Sequence, residues 1–208
     1  MLLKRVIIPD VLTNCYILAD ENSKEAAVID PGVCTERLLS TLNKNELVVK
    51  YLILTHGHYD HIGGIKKLKE MFPDAKVVIG KNDEPYLYDE TTLFDGAPSI
   101  CEFPGIKADV LVSDGDVISV GDISLKVIET PGHTKGGVSY YTDGLLFSGD
   151  TLFKGTIGRT DFIGGSFTEI VDSLNKLSNL PDETTVHSGH GFSTTIGREK
   201  ESNQYMNL

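Results

Sequence analysis

Residues 53–64 read Ile-Leu-Thr-His-Gly-His-Tyr-Asp-His-Ile-Gly-Gly. An apolar run at 51–54 precedes the polar residues, and two glycines follow them. This pattern predicts a buried strand that ends in a loop, with a helix beyond it. The loop carries four side chains that bind metal ions when imidazole is neutral and carboxylate is ionised, namely His56, His58, Asp60 and His61. The stretch therefore predicts a metal site at the mouth of a strand.

Three other predicted strands also end in candidate ligands, which are His133, Asp150 and His190. A loop directly after a strand gives a ligand a rigid base and an accessible tip. Seven ligands exceed the set that a single zinc ion takes, and they divide into two sites that share one carboxylate. Two metals about 3.5–4 Å apart lower the pKa of a shared water enough for hydrolysis at neutral pH.

The rest of the chain is rich in short strands separated by turns. Apolar periodicity and caps predict helices after Thr35, over 62–72, and from the capping box at 166–169 to the residue before Pro181. Strands are predicted at 2–9, 14–19, 25–30, 47–55, 75–79, 117–120, 123–130, 137–142, 145–148 and 184–187. Residues 81–110 are irregular apart from a possible helix at 84–90, so they form either a lid or substrate loop or a plain surface excursion.

Length and composition indicate one globular domain spanning residues 1–208, without a linker or repeat. No apolar run approaches the roughly 20 residues that span a bilayer. The N-terminus lacks the features of a signal peptide, and the three widely spaced cysteines suit reduced thiols, so a cytoplasmic location is expected. A formal net charge of −11 disfavours nucleic acid as a partner.

Four motifs occur in a fixed order: His-x-His-x-Asp-His at 56–61, Pro-Gly-His-Thr at 131–134, Ser-Gly-Asp-Thr at 148–151 and Gly-His-Gly at 189–191. In this order and spacing they resemble the metallo-β-lactamase superfamily. The resemblance also includes Asn-Cys-Tyr at 14–16 and Asp-Pro-Gly at 30–32. It implies an α/β fold, a four-layer αβ/βα sandwich of two mixed β-sheets with helices on the outer faces and the metals at one edge.

The resemblance also implies a role for each candidate ligand. His56, His58 and His133 would hold one metal, Asp60, His61 and His190 a second, and Asp150 would bridge them. Asp60, Asp150 and His190 are therefore also the expected catalytic residues. The cofactors would be two divalent metal ions, with zinc expected first and iron or manganese as alternatives.

Within the superfamily, residues 147–153, 158–161 and 189–197 most resemble the short glyoxalase II-like hydrolases. That branch cleaves hydroxyacyl-glutathione thioesters such as S-lactoylglutathione, by attack of a metal-bridging hydroxide on the thioester carbonyl. Full-length glyoxalase II holds glutathione with basic residues of a C-terminal helical domain, whereas the sequence here ends at Leu208. How glutathione would be held is therefore left open.

Four residues are candidates for substrate contact, and each has a plainer interpretation. Arg159 could instead form an ion pair with Asp161, and Lys154 could be a solvated surface charge. Tyr86 belongs to the predicted lid, and His187 could serve packing or hydrogen bonding near the site. Asp30 is expected to form a turn or support a ligand rather than bind metal.

Other functions fit parts of the pattern. The chain could be a persulfide dioxygenase with a single iron, or a hydrolase of another small ester or lactone. A non-catalytic scaffold would be expected to have lost ligands, and this chain has all seven. The expected partner is thus a small-molecule thioester or ester, without nucleic acid or membrane; the sequence does not indicate an oligomeric state.

Overall fold

The computed structural model describes residues 1–92 and 101–208, and its central feature is a pair of six-stranded β-sheets. The first sheet contains, in spatial order, β1 (Leu2–Ile8), β2 (Thr13–Ala19), β3 (Glu25–Ile29), β4 (Val48–Ile53), β5 (Lys76–Gly80) and β6 (Val110–Val112). Strands β1 to β3 pair antiparallel, and β3 to β6 pair parallel. The sheet is therefore mixed.

The second sheet comes from the second half of the chain. Its strands, together with a separate two-stranded hairpin formed by β11 and β12, are β7 (Val117–Val120), β8 (Ile123–Glu129), β9 (Val138–Thr142), β10 (Leu145–Gly149), β11 (Leu152–Phe153), β12 (Thr156–Ile157), β13 (Thr185–Ser188) and β14 (Thr194–Thr195). The spatial order is β14-β13-β10-β9-β8-β7, and only the β10–β13 pair is parallel.

Five α-helices and three 3₁₀ helices complete the described parts of the chain. They are α1 (Glu36–Lys44), α2 (Tyr59–Ile62), α3 (Ile65–Met71), α4 (Phe167–Leu177) and α5 (Ile196–Ser202), with 3₁₀ helices at Lys81–Leu87, Glu90–Thr92 and Gln204–Asn207. Hydroxyl side chains cap three of the α-helices: Thr35, Ser166 and Thr195 each accept a hydrogen bond from a backbone N–H three residues later. No helix in these parts is long and apolar enough to cross a membrane.

Three apolar clusters define four layers. The first cluster packs one face of the first sheet against α1 to α3, through residues that include Ile17, Leu52, Leu38 and Leu68. The second joins the two sheets, through residues that include Leu18, Ile53, Leu125 and Tyr140. The third packs the second sheet against α4 and α5, through residues that include Leu146, Leu174 and Ile196. The αβ/βα sandwich predicted from the motifs is confirmed.

Neighbouring residues of β2 show why a strand between two layers is buried on both faces. Ile17 belongs to the helix-facing cluster and Leu18 to the sheet-facing cluster, because successive side chains of a strand point to opposite faces. All seven residues of β2 are buried. At one edge the sheets meet directly: the N–H of Asn14 donates to the carbonyl oxygen of Gly189 at 2.7 Å, and Thr13 bridges to His190.

The structure differs from the sequence predictions in several elements. Asp60 and His61 lie on α2 rather than in a loop, and α2 and α3 replace the single helix predicted at 62–72. The break falls at Gly64, where an added Cβ would lie 2.4 Å from the carbonyl oxygen of Pro31. Strands β6, β11, β12 and β14 and helix α5 have no counterpart in the sequence prediction. Of the possible helix at 84–90, only residues 84–87 and 90 are helical, in two 3₁₀ helices. Part of the predicted lid, residues 93–100, lies outside the described residues.

The contact between the sheets offers a test of packing. Tyr140 is fully buried, and its hydroxyl donates to the carbonyl oxygen of Leu54 at 2.9 Å. We expect Tyr140→Phe to lower the free energy of unfolding by about 1–2 kcal/mol, because a buried carbonyl loses its partner. Urea denaturation would measure the change. Tyr141→Phe is the control, since that hydroxyl has no hydrogen bond within residues 1–92 and 101–208; an equal loss in both variants would contradict the prediction.

Candidate metal centre

The seven ligands predicted from the sequence lie together where strands of both sheets end. They form three overlapping groups, in each of which one atom per residue lies within 4.8 Å of the others. The groups are His56, His58 and His133; Asp60, His61 and His190; and His56, His61 and Asp150. The segments that follow β4, β8, β10 and β13 supply them, with Asp60 and His61 on α2, so both sheets contribute to one centre.

The first group consists of three histidines, of which His133 and His56 are held through the ring nitrogen that points away from the centre. Nε2 of His133 lies 2.9 Å from Nδ1 of His58, while Nδ1 of His133 is 2.7 Å from the carbonyl oxygen of Arg159. Because a carbonyl only accepts, Nδ1 of His133 carries the proton, and its Nε2 presents a lone pair to the centre. In the same way Nδ1 of His56 lies 3.1 Å from the hydroxyl of Thr55, which leaves Nε2 for the centre.

The second group adds a carboxylate. Oδ2 of Asp60 lies 3.1 Å from Nε2 of His190 and 3.6 Å from Nε2 of His61. Nδ1 of His190 is 3.1 Å from the carbonyl oxygen of Leu12, so its proton is also directed away from the centre. All three ligand atoms therefore face the same space.

Asp150 lies between the two groups. Its Oδ2 is 3.6 Å from Nε2 of His133, a member of the first group, and 3.5 Å from Nε2 of His190, a member of the second. Its Oδ1 is 3.5 Å from Nε2 of His61. One carboxylate thus reaches ligands of both groups, which is the position a bridging ligand requires.

Four buried atoms of the ligand residues lack a hydrogen-bond partner within the described residues: Nε2 of His56, both ring nitrogens of His61 and Oδ1 of Asp150. Nδ1 of His61 faces the Asp30 carboxylate, whereas the other three atoms face the other ligands. Leaving a buried polar atom unsatisfied costs about 1–3 kcal/mol. Imidazole nitrogens and carboxylate oxygens at the spacing seen here would be satisfied by divalent cations. The residues present therefore fit metal ions.

The pKa values of His58 and His61 are shifted in opposite directions. Burial lowers the pKa of His58 to about 3, and the neighbouring His133 adds to the effect. Burial also disfavours a charged His61, but the carboxylates of Asp60, Asp30 and Asp150 outweigh it and raise the His61 pKa. A metal bound by His61 must therefore displace a proton that the carboxylates would otherwise retain, so metal binding releases protons.

Asp30 lies next to both ligand groups and contacts the residues that orient them. It is buried at 2% exposure, and its carboxylate accepts from the backbone N–H of Thr55 at 2.8 Å and from the Thr55 hydroxyl at 2.7 Å. Since that hydroxyl donates to Asp30, it accepts from Nδ1 of His56. The same carboxylate lies 3.0 Å from Nδ1 of His61. Asp30 thereby orients one ligand of each group, in the supporting role expected from the sequence.

Asp83 was not singled out in the sequence and has a similar position. It is fully buried in the 3₁₀ helix after β5 and accepts from the N–H of Gly57, the hydroxyl of Thr134 and the N–H of Gly136, at 2.6–3.0 Å. Gly57 separates His56 from His58, and Thr134 follows His133. One carboxylate therefore fixes the spacing of two ligand loops that are far apart in the chain.

A cavity of about 730 Å³ opens over the centre. Its described lining consists of the ligands His58, Asp60, His133 and Asp150 together with Tyr59, Tyr86, Glu90, Thr91, Thr92, Asp161, Phe162 and Ile163. A volume of this size holds a small molecule, with ligand groups on one side and aromatic rings on another.

The four candidates for substrate contact occupy different positions. Tyr86 lines the cavity, with its ring against Gly57, where an added Cβ would lie 2.4 Å away. Arg159 lies beside the lining and is paired with Asp161. Lys154 is exposed over the ring of Phe192, and His187 packs in the second sheet; neither lines the cavity.

His187 has the surroundings of a packing residue. Its ring stacks on Phe147 with centroids 5.5 Å apart and meets Tyr16 edge-on at 5.3 Å. Burial, with a smaller contribution from Arg5, lowers its pKa to about 4. The imidazole is therefore neutral at pH 7.

Comparison with known proteins shows the family to which this chain belongs. The family model of the metallo-beta-lactamase superfamily matches residues 8–190. A relative from Haemophilus influenzae named hydroxyacylglutathione hydrolase GloC is 35% identical, over 93% of this chain and 92% of that protein. The chain belongs to the metallo-beta-lactamase superfamily, as the motifs indicated, and its family and relatives support a metal-dependent hydrolase.

Solved structures agree with this assignment. BLEG-1 B3 metallo-beta-lactamase has a TM-score of 0.90 at 35% identity and covers 100% of both chains. ETHE1 from Myxococcus xanthus has a TM-score of 0.82 at 32% identity, over 98% of this chain and 84% of that one. TTHA1623 in a di-iron-bound form has a TM-score of 0.82 at 30% identity, over 97% of this chain and 99% of that one.

The support from Asp30 can be tested by a substitution of the same shape. We expect Asp30→Asn to weaken zinc binding by about 10–100-fold, because an amide cannot accept from Thr55 and His61 together. Competition with a chromophoric chelator would measure the affinity of the metal-free protein. Asp109→Asn is the matched control, since Asp109 accepts a strand N–H at Val77, away from the centre. Equal affinities in all three proteins would contradict the role of Asp30.

The lowered pKa of His187 predicts a pH dependence of stability. Between pH 4 and 6.5 the unfolded chain binds a proton at this residue that the folded chain does not, so stability falls as the pH falls. In His187→Phe this loss is absent, and the difference in unfolding free energy between the two proteins should change by up to about 1.4 kcal/mol per pH unit in that range. Above pH 6.5 the difference should be constant. Urea titrations of both metal-free proteins would show this; parallel curves would contradict it.

Proposed function

We propose that the protein is a dinuclear metal-dependent thioester hydrolase of the glyoxalase II type, with S-lactoylglutathione as the first candidate substrate. The observation that carries this proposal is the presence of two complete three-residue ligand groups on either side of Asp150, facing one cavity. The relative named hydroxyacylglutathione hydrolase GloC supports the choice of substrate class.

Each ligand has a role in this proposal. His56, His58 and His133 would hold one metal, Asp60, His61 and His190 would hold the other, and Asp150 would be shared between them. When bound, two divalent metals would supply a nucleophile from water at neutral pH and stabilise negative charge on the substrate oxygen. Zinc is proposed, with iron and manganese as alternatives, because histidine and carboxylate donors accept all three. The di-iron form of TTHA1623 keeps iron in consideration.

The protein residues define the reaction that suits this centre. Water and a thioester give a carboxylic acid and a thiol: the C–S bond breaks, a C–O bond forms, and a proton from water reaches the leaving sulfur. Burial acts against a charged Asp60, but His61 and His190 hold its pKa below the usual range, so it remains a carboxylate at neutral pH. Asp60 is therefore suited to bind metal rather than to donate a proton, and a thiolate leaves without a strong acid.

The dinuclear assignment can be tested at Asp60. We expect the purified protein to bind two metal ions per chain, and Asp60→Asn to bind one and to lose about 100-fold or more in kcat/KM for S-lactoylglutathione, because the second site loses its only carboxylate besides Asp150. Elemental analysis and a thiol-release assay would measure both. Asp74→Asn, in an exposed turn before β5, is the control.

Other outcomes would redirect the assignment. Unchanged turnover in Asp60→Asn would contradict the dinuclear proposal. One iron per chain, with sulfite formed from glutathione persulfide, would instead support a mononuclear persulfide dioxygenase. Turnover of lactone, phosphodiester or β-lactam substrates without thioester cleavage would keep the assignment as a hydrolase but show that the substrate is not a thioester.

A further inference from the structure

One wall of the cavity is apolar. Tyr86 and Phe162 are partly buried, whereas the side chain of Ile163 is 93% exposed and contributes little to the core. The hydroxyl of Tyr86 lies 3.5 Å from the carbonyl oxygen of Ile163, so the two segments that form the wall meet at this point. An exposed isoleucine beside aromatic rings at a cavity mouth suits an apolar group of a ligand.

The charged groups of the mouth are acidic. Apart from the candidate metal ligands, the charged residues in the described lining are Glu90 and Asp161, both exposed carboxylates, and it includes no lysine or arginine. Residues 93–100, which follow the lining residue Thr92, contain one charged residue in the sequence, Asp95. The described mouth therefore offers no lysine or arginine to a substrate carboxylate.

The guanidinium of Arg159 lies beside this mouth but is already paired. Its Nε and Nη2 donate to the two carboxylate oxygens of Asp161 at 2.9 and 2.8 Å, in the bidentate geometry that holds arginine most firmly. The same guanidinium lies 4.1 Å from the ring centre of Phe162. Asp161 thus offsets the positive charge that would otherwise attract an anionic substrate.

We propose that the mouth selects thioesters whose part remote from the scissile bond is uncharged and apolar, and that Asp161 sets this preference by neutralising Arg159. The proposal rests on the thioester hydrolase function proposed above. The apolar wall of Phe162 and Ile163 seats the remote part. The carboxylates of Glu90 and Asp161 disfavour the net negative charge of a glutathione group, whose two carboxylates outnumber its one ammonium. This narrows the substrate proposed above: among thioesters with the same acyl group, we expect the uncharged one to be preferred to S-lactoylglutathione.

Two thioesters with the same acyl group would separate these classes. S-lactoylglutathione carries carboxylates on its thiol part, and S-lactoyl-N-acetylcysteamine is uncharged. In the metal-loaded enzyme we expect kcat/KM to be about fivefold or more higher for the uncharged thioester, the size of one ionic interaction near a solvated surface. Ile163→Ser should lower kcat/KM for the uncharged thioester and so reduce the preference.

Asp161→Asn provides the sharper test, because it removes one negative charge and releases Arg159. We expect the ratio of kcat/KM for the glutathione thioester to that for the uncharged thioester to rise by about fivefold, and the rise to disappear in Asp161→Asn with Arg159→Gln. Asp172→Asn removes an exposed charge on α4 and is the control, with no expected change in the ratio.

Binding gives a readout that does not require turnover. S-methylglutathione and S-methyl-N-acetylcysteamine are thioethers that cannot be hydrolysed, and calorimetry would give their dissociation constants with wild type and Asp161→Asn. A wild-type preference for the glutathione ligands in both assays, unaffected by Asp161→Asn, would overturn the proposed selectivity and leave the hydrolase function intact. Absence of turnover with both thioesters would overturn the function, and the thioether constants would still decide the selectivity.

Discussion

The buried carboxylate of Asp30 is the contact on which the metal centre depends. Asp30 directly follows β3, and its backbone is in the left-handed region with φ 51°. Its carboxylate accepts both hydrogen-bond donors of Thr55, which follows β4. Through that hydroxyl it orients His56, and directly it faces His61. An added Cβ at Gly149 would lie 2.3 Å from the Thr55 hydroxyl, so the end of β10 packs against the same contact. A buried charge is tolerated here because donors surround it.

The seven candidate ligands could be predicted to lie close together for a physical reason. Four of them lie within six positions of one segment, and the others each follow a strand, so local pattern and strand direction together bring them to one edge. The four-layer sandwich was implied by the family resemblance that the motifs carry in their order and spacing. The supporting role of Asp83 could not be predicted in this way, because it depends on hydrogen bonds from Gly57 and Gly136, which are 26 and 53 residues away in the chain. In the sequence alone it resembles an ordinary aspartate in a turn after a strand.

Substrate contacts were harder to predict than metal ligands, because they depend on which charges remain unpaired. Arg159 and Asp161 are two positions apart, and the sequence left open whether they pair with each other or with a ligand. In the structure both oxygens of Asp161 are engaged by the guanidinium. Lys154 closely follows one ligand motif and His187 closely precedes another, yet neither side chain lines the cavity. Short separation in sequence fixes the backbone, but not the direction of a side chain.

The electrostatics of the centre connect metal binding to folding. Without a cation, the carboxylates of Asp30, Asp60 and Asp150 are balanced by a proton on His61, whose pKa they raise, while Nε2 of His56 lacks a partner. A divalent cation would replace that proton and satisfy the unpartnered atom. The ligand loops belong to both sheets, so a bound metal would also link the two halves of the sandwich. Stability and metal affinity are therefore coupled, and any change that loosens the contact between the sheets also weakens the centre.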